Sequence, residues 1–209
     1  MFKLIYKYIA RQFGRPTGLG GKISTFIMNC LNREQYGAVV DNIDIHVTDT
    51  ILDIGFGNGF FIRRLSDKNF HKIYGIDISP DMLKTATEKN HKKIEQGKIE
   101  LLLADVQDLP FDDSSIDKVY TINTVYFWQD INKGFSEIKR ILKPDGIFLN
   151  VVYSKEWLNK LQPITQYGFE KYSISELERI TKDNGMRIFE TIEIIKNKSY
   201  CIISGSNTK

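Results

Sequence analysis

The segment 51–59 constrains the fold of this chain more than any other. A short apolar run holds Asp53 near its end, three glycines then alternate with other residues, and apolar residues resume at helical spacing from Phe60 onward. The three glycines are Gly55, Gly57 and Gly59. This order predicts a buried strand, a tight turn and a helix N-terminus, where backbone N–H groups can approach an anionic ligand closely.

Strand and helix patterns alternate from residue 50 onward. Apolar residues at helical spacing separate short apolar segments, and two further segments near the end alternate as the strands of a hairpin do. The predicted strands cover 50–54, 72–76, 99–104, 116–122, 147–152, 186–195 and 198–205. The alternation predicts a parallel sheet that is covered by helices on both faces and closed by a hairpin.

Local signals predict where some helices begin and where the chain turns. Ser79, followed by Pro80, is typical of a helix start, and Ser173 with Glu176 predicts a capping box. The run Lys-Pro-Asp-Gly at 143–146 predicts a turn before the fifth strand.

Charge and composition exclude several functions. The chain has 209 residues and a net charge of +3, with its basic residues spread along it, so we expect no nucleic-acid partner. Cys30 and Cys201 form no paired motif and the three histidines are isolated, so we expect no metal site. Lacking a secretory leader or a long apolar stretch, the chain is expected to be cytoplasmic. We expect one domain, 46–209, behind an N-terminal helical extension, 1–45.

The beginning of this extension is a basic amphipathic helix with two interpretations. Its apolar stripe lies beside basic residues and could face a membrane surface, or it could pack on its own domain. The stripe is Phe2, Ile5, Ile9 and Phe13, and the basic residues are Lys3, Lys7 and Arg11. We expect packing on the domain, which is the commoner arrangement, and therefore no membrane partner.

Polar residues follow four successive predicted strands. Ligands of open parallel sheets bind beyond the carboxyl ends of the strands, so these residues are expected to share one site. They are Asp53, Asp77, Asp105 and Asn123. Asp77 lies about 20 residues after the glycine turn. In nucleoside-binding folds, a carboxylate at this position accepts hydrogen bonds from the ribose hydroxyls. We therefore predict a nucleoside cofactor.

The glycine spacing distinguishes two kinds of nucleoside cofactor. The dinucleotide fingerprint needs a third glycine where this chain has Phe60. Instead, Asp-x-Gly-x-Gly-x-Gly at 53–59 resembles the glycine-rich motif of class I S-adenosylmethionine-dependent methyltransferases. The resemblance continues in the motifs at 74–79, 103–106 and 142–147, and spans about 45–205. It implies an α/β fold with a doubly wound, mostly parallel, seven-stranded Rossmann-like sheet and an antiparallel last strand.

The segment 12–18, together with Met28 and Asn29, resembles the N-terminal extension of one small-molecule branch of that family, the methyltransferase type 11-like branch. The resemblance implies a lid over the cofactor or the substrate.

The resemblance also implies how S-adenosylmethionine would be held. The backbone at Gly55, Phe56 and Gly57 would lie against the methionine moiety, and Asp53 would reach its ammonium group. The ribose would bind Asp77. The adenine would contact three residues on the next two loops, namely Ile78, Asp105 and Val106.

Two further residues complete the predicted site. Met82 is included among the cofactor-binding residues, although core packing is an alternative for it, as it is for Ile78 and Val106. Asn123 would lie beside the sulfonium and the transferred methyl group. Methyl transfer depends mainly on holding the nucleophile in line. Tyr126 is the positional candidate for a second catalytic residue, since the sequence reveals no general base.

The acceptor is predicted to be a small, partly apolar molecule. Methyltransferases that act on nucleobase or glutamine amino groups often carry Asn/Asp-Pro-Pro-Tyr, whereas residues 123–126 here read Asn-Thr-Val-Tyr. Aromatic residues near this run suit a small acceptor, and these are Tyr126, Phe127, Trp128, Trp157 and Tyr167. Two alternatives remain open, a nicotinamide-dependent oxidoreductase and a non-catalytic module that binds S-adenosylmethionine.

Overall fold

The computed structural model of the chain describes residues 2–206, which form a seven-stranded sheet. The strand order is β3-β2-β1-β4-β5-β7-β6. The strands are β1 (Thr50–Ile54), β2 (Lys72–Asp77), β3 (Ile99–Leu103), β4 (Ile116–Ile122), β5 (Leu142–Tyr153), β6 (Met186–Ile195) and β7 (Ser199–Ser206). The β7 strand runs antiparallel to both of its neighbours, whereas the other described pairings are parallel. This confirms the predicted doubly wound sheet with an antiparallel last strand.

Helices cover both faces of the sheet. They are α1 (Phe2–Gly14), α2 (Gly18–Leu31), α3 (Arg33–Asn42), α4 (Phe60–Leu65), α5 (Pro80–Glu95), α6 (Ile131–Ile141), α7 (Lys155–Lys160), α8 (Gln162–Thr165) and α9 (Ile174–Asp183). Successive strand residues point into different apolar clusters: Leu52 joins the cluster under α6 and α9, and Ile51 joins the cluster under α3, α4 and α5. A period of two therefore divides the core into two layers.

The predicted helix starts are present. The Ser79 hydroxyl accepts a hydrogen bond from the Met82 N–H at the start of α5, with Pro80 in the first turn. At the start of α9, Ser173 and Glu176 form the predicted capping box. These signals act within four residues, which is why the sequence alone could locate them.

The predicted turn at 143–146 lies inside β5 instead of before it. Pairing of β4 with β5 runs from Ile116 opposite Leu142 directly to Lys118 opposite Ile147, so the intervening residues leave the ladder. Pro144 has no N–H to donate, which explains the local break. The chain therefore bulges at these residues and the strand continues on both sides.

The last helix of the N-terminal extension, α3, is part of the buried core. Tyr36 and Val39 of α3, with Ile43 just after it, are buried in the core, whereas α1 and α2 lie beyond it. Met1 and residues 207–209, at the ends of the predicted ranges 1–45 and 46–209, lie outside the described residues.

The apolar stripe of α1 packs on the protein only in part. Ile9 and Phe13 are half-buried, but Phe2 and Ile5 keep 74% and 47% of their surfaces exposed. The expectation that this stripe packs on its own domain therefore applies only to its second half. Within residues 2–206, each helix is too short or too polar to cross a bilayer.

Gly59, at the start of α4, offers a test of backbone packing. Its φ is +69°, and a Cβ there would lie 2.6 Å from Asn90 Nδ2 and 2.7 Å from Ala86 Cβ. We expect Gly59→Ala to lose about 1–2 kcal/mol of unfolding free energy from the left-handed backbone and about 1–3 kcal/mol more from the collision.

The matched control is Gly97→Ala, because Gly97 has a φ of +71° and nothing within 4 Å of an added Cβ. Chemical denaturation of both variants should show a larger loss for Gly59→Ala. Equal losses would contradict the packing described around Gly59.

Candidate functional site

A cavity of about 190 Å³ lies where the carboxyl ends of the central strands meet α2 and α3. Every predicted site residue except Met82 and Tyr126 lines it. The lining predicted residues are Asp53, Gly55, Phe56, Gly57, Asp77, Ile78, Asp105, Val106 and Asn123. The sequence prediction therefore converges on one place in the fold.

The glycine turn forms one wall of the cavity. Gly55 has a φ of +80°, and a Cβ there would lie 2.4 Å from Thr124 Cγ2, so no larger residue fits between the two strand ends. Gly57 has a φ of +55° and nothing within 4 Å of an added Cβ. A side chain at Gly57 would therefore project into the open space beside the cavity. Because glycine has none, a ligand can come close to the protein backbone there.

Asp77 connects the glycine turn to the start of α5. Its Oδ2 accepts a hydrogen bond from the Gly57 N–H (2.9 Å), and its Oδ1 accepts one from the Ser79 N–H (2.8 Å). Burial raises the pKa of the Asp77 carboxyl to about 6, against the opposing effect of these N–H groups. The carboxyl is therefore ionised at neutral pH and protonated in mild acid.

Asp53 lies deeper in the same cavity and is almost fully buried. The Tyr120 hydroxyl, directly opposite on β4, donates a 2.9 Å hydrogen bond to its Oδ2. Burial raises the pKa of Asp53 to about 8, and the nearby charge of Asp77 contributes to the increase. Asp53 is therefore largely protonated at neutral pH until a cation approaches it.

The other end of the cavity combines apolar and polar walls. Ile78 and Val106 both line it, and so does Asp105, which follows the end of β3. The Asp105 Oδ1 accepts hydrogen bonds from the backbone and side-chain N–H groups of Gln107. This arrangement presents two aliphatic side chains and an exposed carboxylate at one end of the cavity.

Asn123 follows β4 in an uncommon backbone conformation, with a φ of +60°. Its Nδ2 donates hydrogen bonds to Gln35 Oε1 (2.7 Å) and Asn32 Oδ1 (3.2 Å), both on the N-terminal side of the cavity. A positive φ is uncommon for a non-glycine residue, and asparagine adopts it more readily than most side chains do. These amide contacts join the end of β4 to the beginning of α3.

Tyr126 lies behind Asn123 and outside the cavity wall. Its single O–H lies within donating distance of two acceptors, Asn123 Oδ1 (3.2 Å) and the Tyr153 carbonyl (3.1 Å), and its oxygen accepts a hydrogen bond from the Tyr153 N–H. Burial raises the Tyr126 pKa well above its ordinary value, so it stays a neutral phenol. Its contacts suit a residue that orients Asn123.

Met82 lies away from the cavity, in the apolar core under α5, with 1% of its surface exposed. This is the core-packing alternative stated from the sequence. Its predicted contact with a cofactor stays a prediction.

The sequence analysis assigned no ligand contact to three polar residues that line the cavity, namely Asn29 of α2, Asn32 between α2 and α3, and Tyr36 of α3. The Tyr36 hydroxyl donates to Asn29 Oδ1 (2.9 Å), and Asn29 Nδ2 donates to Asn58 Oδ1 in the glycine turn (3.3 Å). On α2, the polar residues Thr25 and Asn29 among apolar neighbours were an available signal, whereas the mostly polar sequence of α3 marks no inner face.

Two contacts tie the loop between α1 and α2 to the start of α5. The Ser79 hydroxyl donates to the Pro16 carbonyl (2.8 Å), and the Gly18 N–H donates to Asp81 Oδ2 (2.8 Å). The N-terminal helices therefore cover the cavity and are anchored beside Asp77, in the position expected of a lid.

A second cavity of about 570 Å³ lies between α1 and the body of the protein, and we call it the α1 groove. It shares Gly14, Ile78 and Phe127 with the first cavity. The remaining lining residues are Leu4, Lys7, Tyr8, Ala10, Arg11, Arg15, Tyr167 and Gly168. The described lining thus carries three cationic side chains and no carboxylate.

The predicted aromatic residues are divided among several places. Phe127 and Trp128 line the first cavity and Tyr167 lines the α1 groove, whereas Trp157 lies under Lys160 and Lys198. Trp157 therefore contributes to surface packing in this structure.

Comparisons with known proteins agree on one family. The model of the methyltransferase domain family matches residues 52–150. The chain is 31% identical over 126 residues to the uncharacterized methyltransferase YdaC of Bacillus subtilis, covering 59% of this chain and 67% of YdaC. It is also 30% identical to phosphoethanolamine N-methyltransferase 2 of Caenorhabditis elegans, covering 66% of this chain and 31% of that protein.

A solved structure agrees with these sequence matches. A SAM-dependent methyltransferase from Aquifex aeolicus superposes with a TM-score of 0.69 at 25% identity, over 83% of this chain and 91% of that one. The chain spans only part of its relatives: 67% of the length of YdaC, 61% of the putative methyltransferase YrhH of Bacillus subtilis and 31% of the Caenorhabditis elegans enzyme.

The raised pKa of Asp53 gives the unfolding free energy a defined pH dependence. The folded chain holds this proton up to about pH 8, whereas the ordinary pKa is 3.8. Between these values the folded state binds more protons, so its stability falls as pH rises, by up to about 1.4 kcal/mol per pH unit. We expect Asp53→Asn to become more stable relative to wild type by about 2–3 kcal/mol between pH 5 and pH 7.

Chemical denaturation of both proteins at the two pH values measures this difference. The contribution of Asp77, whose pKa is also raised, is present in both proteins and therefore cancels in the comparison. The exposed Asp67 supplies the control variant Asp67→Asn, which should follow wild type. Parallel pH dependences of wild type and Asp53→Asn would contradict the buried, protonated Asp53.

Proposed function

The chain belongs to the class I S-adenosylmethionine-dependent methyltransferases, and from this premise we propose that it methylates a small-molecule acceptor that binds in the α1 groove. The observation that carries the proposal is the junction of the groove with the cavity at Gly14, Ile78 and Phe127. An acceptor in the groove would have direct access past Phe127 to the end of β4. Membership of this family also decides against a nicotinamide-dependent oxidoreductase.

We assign the cofactor-holding residues by the chemistry of each wall. The Asp77 carboxylate would accept hydrogen bonds from the ribose hydroxyls, and Gly57 leaves room for the backbone of the methionine moiety. Asp53 would bind the ammonium group, which would favour its ionised form. Ile78 and Val106 would flank the adenine, with Asp105 beside its amino group.

When bound, S-adenosylmethionine supplies a methyl group already activated by its sulfonium, so the protein has mainly to orient the acceptor. The polar side chains in contact with Asn123 are the carboxamides of Asn32 and Gln35 and the neutral phenol of Tyr126. A carboxamide cannot take a proton at neutral pH. Burial raises the Tyr153 pKa to about 12, so this neighbouring phenol also stays neutral.

These neutral groups restrict the acceptor atom. Since the side chains around Asn123 described above offer no base, the acceptor has to arrive with a free lone pair, as a neutral amine or a thiolate does. Their contribution is to hold that atom and to exclude water. Asn123, positioned by Tyr126, is the residue we assign to the transfer position.

The α1 groove favours an acceptor with an anionic group and an apolar part. Lys7, Arg11 and Arg15 line it, and within the described chain none of them forms an ion pair. Tyr8 and Tyr167 supply aromatic surface. The Caenorhabditis elegans relative is named for an acceptor with a phosphate group, which supports the anionic part of this assignment.

Transfer of an isotopically labelled methyl group tests the proposal. We expect the protein to move label from S-adenosylmethionine into the low-molecular-weight fraction of a cell extract. Arg11→Ala should lower this transfer at limiting extract by about tenfold or more, because a hydrogen-bonded charge pair contributes about 1.5–3 kcal/mol. The affinity for S-adenosylmethionine should be unchanged.

The control is Arg64→Ala, which removes an exposed arginine on α4. Label found only in protein or nucleic acid would contradict a small-molecule acceptor. Binding of S-adenosylmethionine without transfer to any fraction would favour the non-catalytic module instead.

A further inference from the structure

Helix α2 turns its polar side toward the protein and its apolar side toward solvent. Its inner face supplies Thr25, Met28 and Asn29 to the cavity. The outer face carries large apolar side chains at spacings of three and four, which are Leu19, Ile23, Phe26 and Ile27. Leu19 and Phe26 expose 79% and 69% of their surfaces. A surface helix normally shows the opposite arrangement.

The first half of α1 extends this apolar surface. Phe2, Leu4 and Ile5 are exposed, and so is Tyr8, whose hydroxyl lies against Gly20 at the start of α2. This contact packs Tyr8 of α1 against the first turn of α2, which also carries the exposed Leu19. We call the combined surface, made by residues 2–8 of α1 and the outer side of α2, the α1–α2 face.

The segment that forms this face carries formal charges of one sign, and the carboxylate of Asp81 on α5 meets it at the Gly18 N–H. Residues 1–33 contain no Asp or Glu, and their basic residues are Lys3, Lys7, Arg11, Arg15, Lys22 and Arg33. The next acidic residue is Glu34. An occupant of the face therefore has to offer both apolar contact and negative charge.

We propose that the α1–α2 face binds to the surface of an anionic lipid bilayer. Apolar side chains of an amphipathic helix enter the boundary between headgroups and acyl chains, while basic residues are attracted to anionic headgroups. A second copy of this chain fits less well, because a two-fold interface would bring the same basic segment against itself. Helices of this length lie along the bilayer surface and do not cross it.

Vesicle sedimentation tests the proposal with the full-length protein. We expect the protein to sediment with phosphatidylcholine vesicles that contain a third of phosphatidylglycerol, and much less with phosphatidylcholine alone. Binding should weaken at about 0.5 M salt, which screens surface charges. Ile23→Ser/Phe26→Ser should reduce the partition coefficient at least about tenfold by removing two exposed apolar side chains.

A control variant, a second variant on the face and a parallel ligand-binding assay keep the result specific. Phe189→Ser removes an equally large exposed side chain from β6 and should bind vesicles like wild type. Leu19→Ser is a milder second variant on the face and should weaken binding in the same direction. Affinity for S-adenosylmethionine, measured in parallel, should be equal in all these proteins, so loss of vesicle binding can be separated from loss of the methyltransferase site.

The proposal is overturned by any of three results. One is absence of sedimentation with the anionic vesicles. Another is vesicle binding that Ile23→Ser/Phe26→Ser and Leu19→Ser leave unchanged. The third is a wild-type dimer in light scattering that these variants dissociate, which would assign the face to a second copy of the chain.

Discussion

The half-buried carboxylate of Asp77 is the group on whose hydrogen bonds the rest of the site depends. It accepts one hydrogen bond from the glycine turn after β1 and one from the first residues of α5. The N-terminal helices are anchored at the same place, through the Ser79 hydroxyl and the Asp81 carboxylate. The turn, the start of α5 and the cover of the cavity are therefore positioned together. Burial of this carboxylate costs free energy, as its raised pKa shows.

Features set by local chemistry could be predicted from the sequence. The glycine turn, the polar residues at the strand ends and the helix caps each depend on a few neighbouring residues, and most of the predicted site residues line the cavity. The predicted start of the fifth strand was wrong. Lys-Pro-Asp-Gly at 143–146 predicts a turn, but it does not reveal that the strand already begins at Leu142.

Features set by distant contacts could not be predicted. Asn123 meets Asn32 and Gln35 across about ninety residues of sequence, and no local pattern marks such a pair. The orientation of α2 also depends on such contacts, since its polar residues Thr25 and Asn29 line the cavity while Leu19 and Phe26 lie exposed. The expectation that the apolar stripe of α1 packs on its own domain was correct only for Ile9 and Phe13.

Calorimetric titration with S-adenosylmethionine and S-adenosylhomocysteine, with NADH as a control, tests the central role of Asp77 most directly. The account predicts binding of the first two ligands only, at least about tenfold weaker in Asp77→Asn and unchanged in Asp67→Asn. Wild-type affinity should also fall below about pH 6 as Asp77 takes up a proton. Equal affinity of Asp77→Asn and wild type, or binding of NADH alone, would contradict the account.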